Sequence, residues 1–118
     1  MSQTRFYVYR QNNSGGSFDI DDATGIGPKV WIEANDMNHS IERAQSIGIY
    51  FNGVEDGRDC VCCGDRWSKP WSDNGENLPK INDKYDFNWW NTVYIHYING
   101  SIERITEKQR LNTIKSIT

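Results

Sequence analysis

Cysteine is missing from this chain except at Cys60, Cys62 and Cys63, three thiols within four positions. That placement excludes a disulfide framework, because near neighbours pair only with strain and one of three is left over. Thiols without a framework suit a reducing cytoplasm. Long apolar runs are lacking, so no segment is expected to span a bilayer as a helix. Met1-Ser2-Gln3-Thr4 leads straight into an aromatic run, and the pattern of a secretory signal is not expected there. Basic charge is not in excess: 13 Lys and Arg stand against 16 Asp and Glu, a net of −3. Phosphate-driven binding to duplex nucleic acid needs the opposite balance. Histidine is confined to His39 and His96, and no Ser-His-Asp order, His-Glu-x-x-His or paired-histidine motif occurs. An enzyme is therefore not the expected reading.

Aromatic residues are plentiful. Five Trp, six Tyr and four Phe in 118 residues can bury enough area for a core that the few aliphatics would not supply. The length fits one domain, residues 1–118. Phe6-Tyr7-Val8-Tyr9 reads as a strand, followed by the turn-rich Gln11-Asn12-Asn13-Ser14-Gly15-Gly16-Ser17. A second strand is expected at Val30-Trp31-Ile32-Glu33-Ala34. Asn35 or Asp36 caps a helix running to about Ile47, with Met37, Ile41 and Ala44 as its apolar stripe and Gly48 at its end. Residues 68–84 read as irregular, since Pro70, Asn74-Gly75 and Pro79 break regular structure. Asn99-Gly100 predicts a two-residue hairpin turn between 93–98 and 101–105. In that register Tyr97 faces Ile102, Ile95 faces Arg104, and His96 faces Glu103. Thr106 and Gln109 have capping-box spacing for a short C-terminal helix. The expected class is α+β: an antiparallel sheet of about four strands, ordered β-β-α-loop-β-β, with one main helix.

The chemically distinctive segment is Cys60-Val61-Cys62-Cys63-Gly64-Asp65-Arg66-Trp67. Cys60-x-x-Cys63-Gly64 has the spacing of a zinc knuckle, and Cys62 adds a third sulfur. Structural zinc takes four ligands, and no second cysteine pair exists to complete the set. Asp59 or a second subunit could supply the remainder. The competing reading is a turn with free thiols, which makes no such demand. A second candidate is the Arg10-Gln11-Asn12-Asn13 loop, where amides around Gly15-Gly16 can form an anion nest and Arg10 can neutralise a phosphate. Its plain alternative is a wide loop kept turnable by Gly and Asn. Asp65-Arg66-Trp67 supplies residue types common in binding hot spots, and Trp67 could stack on a base.

Three segments carry a resemblance: Phe6 through Phe18, Gly48-Ile49-Tyr50-Phe51-Asn52-Gly53, and Asp59 through Trp67. Together they resemble a family of small, uncharacterised bacteriophage-encoded proteins, in which Pro often stands where this chain has Val61. The resemblance implies viral origin and a place in the cytoplasm of the infected bacterial host. It implies further a non-enzymatic accessory protein that binds and inhibits a host protein, including one of anti-phage defence. The alternatives are a small-molecule binder that sequesters a phosphorylated nucleotide signal, through Arg10 and the 11–17 amides, and a metal-dependent hydrolase with an open zinc position.

Overall fold

Alternating aromatic and branched side chains produce the first strand, β1 (Arg5–Gln11), which pairs antiparallel with β2 (Lys29–Ala34). Tyr7 stands opposite Ile32 and Tyr9 opposite Val30. The computed structural model describes residues 4–12, 19–59, 61–62, 64–70, 74–79 and 92–106. The expected C-terminal helix and much of the 68–84 segment lie outside the described residues.

The helix α1 (Met37–Ser46) follows β2. Its N-cap is Asp36, whose carboxylate accepts from the His39 N–H at 2.8 Å and satisfies one of the orphan donors of the first turn. At the other end the Ile49 N–H donates to the Ala44 carbonyl at 3.0 Å, and the Gly48 N–H to that of Gln45 at 3.2 Å. With Gly48 at φ +102° this is a Schellman stop, completed by apolar contact between Ala44 and Ile49 in the core. The buried stripe differs from the expected one. Ser40 and Ala44 are the fully buried helical residues, flanked by Met37 and Ile47, while Ile41 is only half-buried. Ser40 can be buried because its hydroxyl is paired with that of Tyr9 at 2.6 Å.

After α1 the chain forms β3 (Trp67–Ser68), β4 (Thr92–His96) and β5 (Ile102–Thr106). The sheet order is β3-β1-β2-β4-β5. Pairing is antiparallel except between β2 and β4, which run parallel, with Trp31 opposite Ile95 and Ile32 opposite His96. The α+β class fits, but the sheet is mixed and five-stranded rather than antiparallel and four-stranded. A parallel pair needs a long crossover, and the chain between Ala34 and Thr92, α1 included, supplies it. β2 bears the mark of that central position: Val30, Trp31 and Ile32 are buried in succession, so both of its faces are covered.

One face carries Tyr7, Tyr9, Val30, Ile32, Ala34 and Tyr94 and packs with Ala44 and Ile49. The opposite face groups Phe6, Trp31, Val93 and Ile95, with Val8, Tyr97 and Ile105 at its margin.

The β4–β5 hairpin forms, but its register is one residue away from the expected pairing. Ile95 faces Glu103, His96 faces Ile102, and Tyr94 faces Arg104. The loop has three residues, Ile98-Asn99-Gly100, closed by the Tyr97 N–H donating to the Ser101 carbonyl at 2.9 Å. A two-residue type I′ turn would need positive φ at both Asn99 and Gly100. Only Gly100 has it, at +93°, whereas Asn99 uses its side-chain oxygen to accept from the Ser101 N–H and hydroxyl. The extra loop residue puts His96 opposite Ile102 and not Glu103, and His96, paired with Ile32 of β2, is buried.

Candidate functional site

The two polar segments singled out from the sequence meet at the free end of β1. The Asn12 N–H donates to the Arg66 carbonyl at 2.8 Å, and Gln11 stands opposite Trp67 in the β1–β3 ladder. The Asn12 side-chain amide donates to the Asp65 carbonyl. Arg10, half-buried, pairs with Ser68, whose hydroxyl donates to the Arg10 carbonyl at 3.3 Å. Asn13 lies outside the described residues.

Arg66 is the hub of the cluster. Its side chain is 11% exposed, and its Nε lies 3.3 Å from the Asp19 carboxylate and 3.9 Å from that of Asp59. Its Nη1 donates to the Gln11 side-chain oxygen at 3.3 Å. Gln11 in turn accepts from the Asp19 N–H and donates to the carbonyls of Asp19 and Gly27, which fastens the returning loop to β1. The Asp59 carboxylate is 1% exposed. It accepts from the Tyr50 hydroxyl and from the Arg66 backbone N–H, both at 2.8 Å. Burial, and then the bond to Asp59, raise the Tyr50 pKa above 10.0. Asp59 is thus engaged by Tyr50 and Arg66.

The loop between Asn52 and Arg66 is closed by its own backbone. The Gly53 carbonyl accepts from the Arg58 and Asp59 N–H groups at 2.7 and 2.9 Å, and Asp65 Oδ1 accepts from the Val54 N–H at 2.9 Å. Residue 53 has to be glycine, since a Cβ there would fall 1.8 Å from Asp59 Oδ2. Arg58 rests on the Tyr50 ring, its Cζ 3.7 Å from the centroid, and Lys69 Nζ lies 5.1 Å from that of Phe51. Val61 is 81% exposed, and Cys62, next in sequence, is exposed as well.

Trp67, expected as a stacking or hot-spot residue, is 4% exposed and belongs to the core on the α1 side. Cys60 and Cys63 lie outside the described residues. Among the described residues no group of three or more His, Cys, Asp or Glu side chains is set to hold a metal ion. Neither histidine joins the cluster: His39 Nδ1 accepts from the Asn35 N–H at 3.1 Å, and His96 is buried on β4. The sequence reading missed Tyr50, Asp19 and the clasp by Gln11. These partners are drawn from 8 to 55 residues away along the chain and leave no local spacing signal. No helix among the described residues is long and apolar enough to cross a membrane.

Residues 4–113 match the family described as a domain of unknown function, DUF7296. The chain belongs to the DUF7296 family. The match runs from the residue before β1 to beyond β5 and so includes the whole Gln11–Asp59–Arg66 cluster of this DUF7296 member. No curated protein and no solved structure shows significant similarity to it.

Proposed function

We propose that this DUF7296 protein is a non-enzymatic phage accessory protein that binds and inhibits a host protein in the cytoplasm of the infected cell. The observation that carries the reading is Val61: an apolar side chain 81% exposed, on a loop whose base is closed by the buried Asp59–Arg66 pair. An anchor held on a fixed base loses little conformational freedom on docking, which favours protein recognition. The phage assignment rests on the resemblance of the 6–18, 48–53 and 59–67 segments. Sequestration of a phosphorylated nucleotide has less to draw on, because the Trp67 ring is packed in the core.

Affinity capture from lysate of a permissive bacterial host tests this. The wild-type chain is expected to enrich one host protein and Val61→Asp to lose at least about tenfold of it. The substitution should leave the fold within about 0.5 kcal/mol, as exposed changes do. Capture undiminished by Val61→Asp would reject the anchor, and a thermal shift of several degrees with a nucleotide would favour sequestration instead. Zinc at Cys60, Cys62 and Cys63 belongs to the same proposal, and fewer than about 0.2 zinc per purified chain would remove it.

A further inference from the structure

Asparagine precedes glycine three times in this chain, at Asn52-Gly53, Asn74-Gly75 and Asn99-Gly100. In such a pair the Gly backbone nitrogen, with no Cβ beside it, can approach and attack the Asn side-chain carbon Cγ. The N–Cγ bond forms, the bond from Cγ to the side-chain nitrogen breaks, and ammonia leaves with the proton given up by the Gly nitrogen. Water then opens the resulting succinimide ring to Asp or to isoAsp, in which the main chain runs through Cγ. The step requires a Gly N–H free to be lost and an Asn amide free to turn towards it.

Two of the three pairs are closed to this chemistry. Asn99 Oδ1 accepts from the Ser101 N–H at 2.9 Å and the Ser101 hydroxyl at 2.7 Å, and the Gly100 N–H donates to the Tyr97 carbonyl at 2.9 Å. Arg5 clamps the second pair: its Nε donates to the Asn74 carbonyl at 2.8 Å and its Nη2 to that of Gly75 at 3.3 Å. Gly75 is seated against β1 so closely that a Cβ would stand 3.0 Å from the Phe6 carbonyl oxygen and from the Tyr7 ring.

Asn52 differs from both. Its side chain is exposed and makes no hydrogen bond among the described residues, and neither does the Gly53 N–H. The Asn52 carbonyl accepts from the Asp56 N–H at 3.0 Å, which polarises the shared peptide group and eases proton loss from the Gly53 nitrogen. Packing also fixes the reactive neighbour: a Cβ at residue 53 would fall 1.8 Å from Asp59 Oδ2 and 2.8 Å from the Tyr50 ring, so no slower-reacting residue fits there. We propose that Asn52 is a site of spontaneous covalent modification, where succinimide closure by the Gly53 nitrogen turns the amide into Asp or isoAsp and loosens the loop fastened at Gly53. An isoAsp adds one atom to the main chain just before Gly53, whose carbonyl holds the Arg58 and Asp59 N–H groups.

Peptide mapping by mass spectrometry, on the intact chain aged in its folded state in mildly alkaline buffer, tests the proposal, with isoAsp identified by enzymatic methyl transfer. Acid at position 52 should accumulate at least about fivefold faster than at 74 or 99, the effect of one hydrogen bond that has to break first. In concentrated urea the three rates should converge, because local sequence alone then governs them. Amide exchange at Arg58 and Asp59 should quicken in the modified fraction. Asn52→Gly, which accommodates the φ of +60° and carries no side-chain amide, should keep both amides protected through the same ageing. Equal rates in the folded chain, faster reaction at Asn74 or Asn99, or an unchanged ranking in urea would overturn the proposal. So would a loss of protection in Asn52→Gly equal to that of the wild-type chain. The three-site comparison uses the wild-type chain alone and decides the matter even if the variant does not fold.

Discussion

At Asp59 a carboxylate almost wholly out of water is surrounded by Tyr50, the Arg66 backbone N–H and the Arg66 side chain. Removing the carboxylate leaves the Tyr50 hydroxyl and the Arg66 N–H without their acceptor and Arg66 with Asp19 as its remaining carboxylate partner, a loss of about 3 kcal/mol. Asp59→Ala should lower the urea-derived unfolding free energy by roughly that amount. Asp59→Asn should lose less, because its oxygen can still accept from Tyr50 or the Arg66 N–H. Equal stability of Asp59→Ala and wild type would show the pair to be idle. The sequence displays Asp59, Asp65 and Arg66 beside the cysteines but gives no means of ranking them. Their ranking depends on burial: Asp59 is enclosed, whereas Asp65 is exposed and ties only the Val54 N–H among the bonds given by its side chain.

Among the elements, α1 was the most legible, because its start and stop are local chemistry. Asp36 caps three residues ahead, and Gly48 takes a conformation that other residues resist. A Cβ at Gly48 would meet nothing, so Gly48→Ala isolates backbone strain. It should cost about 1 kcal/mol and lower Tm by about 4 °C, read by circular dichroism. An unchanged Tm would mean that the Schellman stop contributes nothing. The strand positions were legible from alternation, but the hairpin register was not. Asn-Gly fits a two-residue turn and also a three-residue loop in which only Gly100 is left-handed. The extra loop residue decides that His96 pairs with Ile102 and not with Glu103.

Across the molecule, three phenols are held neutral by their surroundings. The pKa values of Tyr9, Tyr94 and Tyr97 are raised from 10.0 to about 12. Burial is the leading cause for Tyr9 and Tyr94, and the bond to Glu103 for Tyr97. A raised folded-state pKa contributes stability that is fully present below 10.0 and is lost as pH rises towards about 12. Tm should therefore fall steeply over that interval, with tyrosinate absorbance rising late and together with unfolding. Ionisation of all six tyrosines near 10.0 without loss of structure would contradict the packing described here.

The amino-acid order by itself determined the α+β class, the approximate places of β1, β2, α1, β4 and β5, and the helix caps. Each of these follows from side-chain alternation or from residues within a few positions of one another. Only tertiary structure decided that β2 and β4 run parallel, that Ser40 and His96 are core residues, and that Gln11, Asp59 and Arg66 form one cluster. Those outcomes depend on which distant surfaces exclude water together, and a polar residue enters the interior only where a partner from another element meets it.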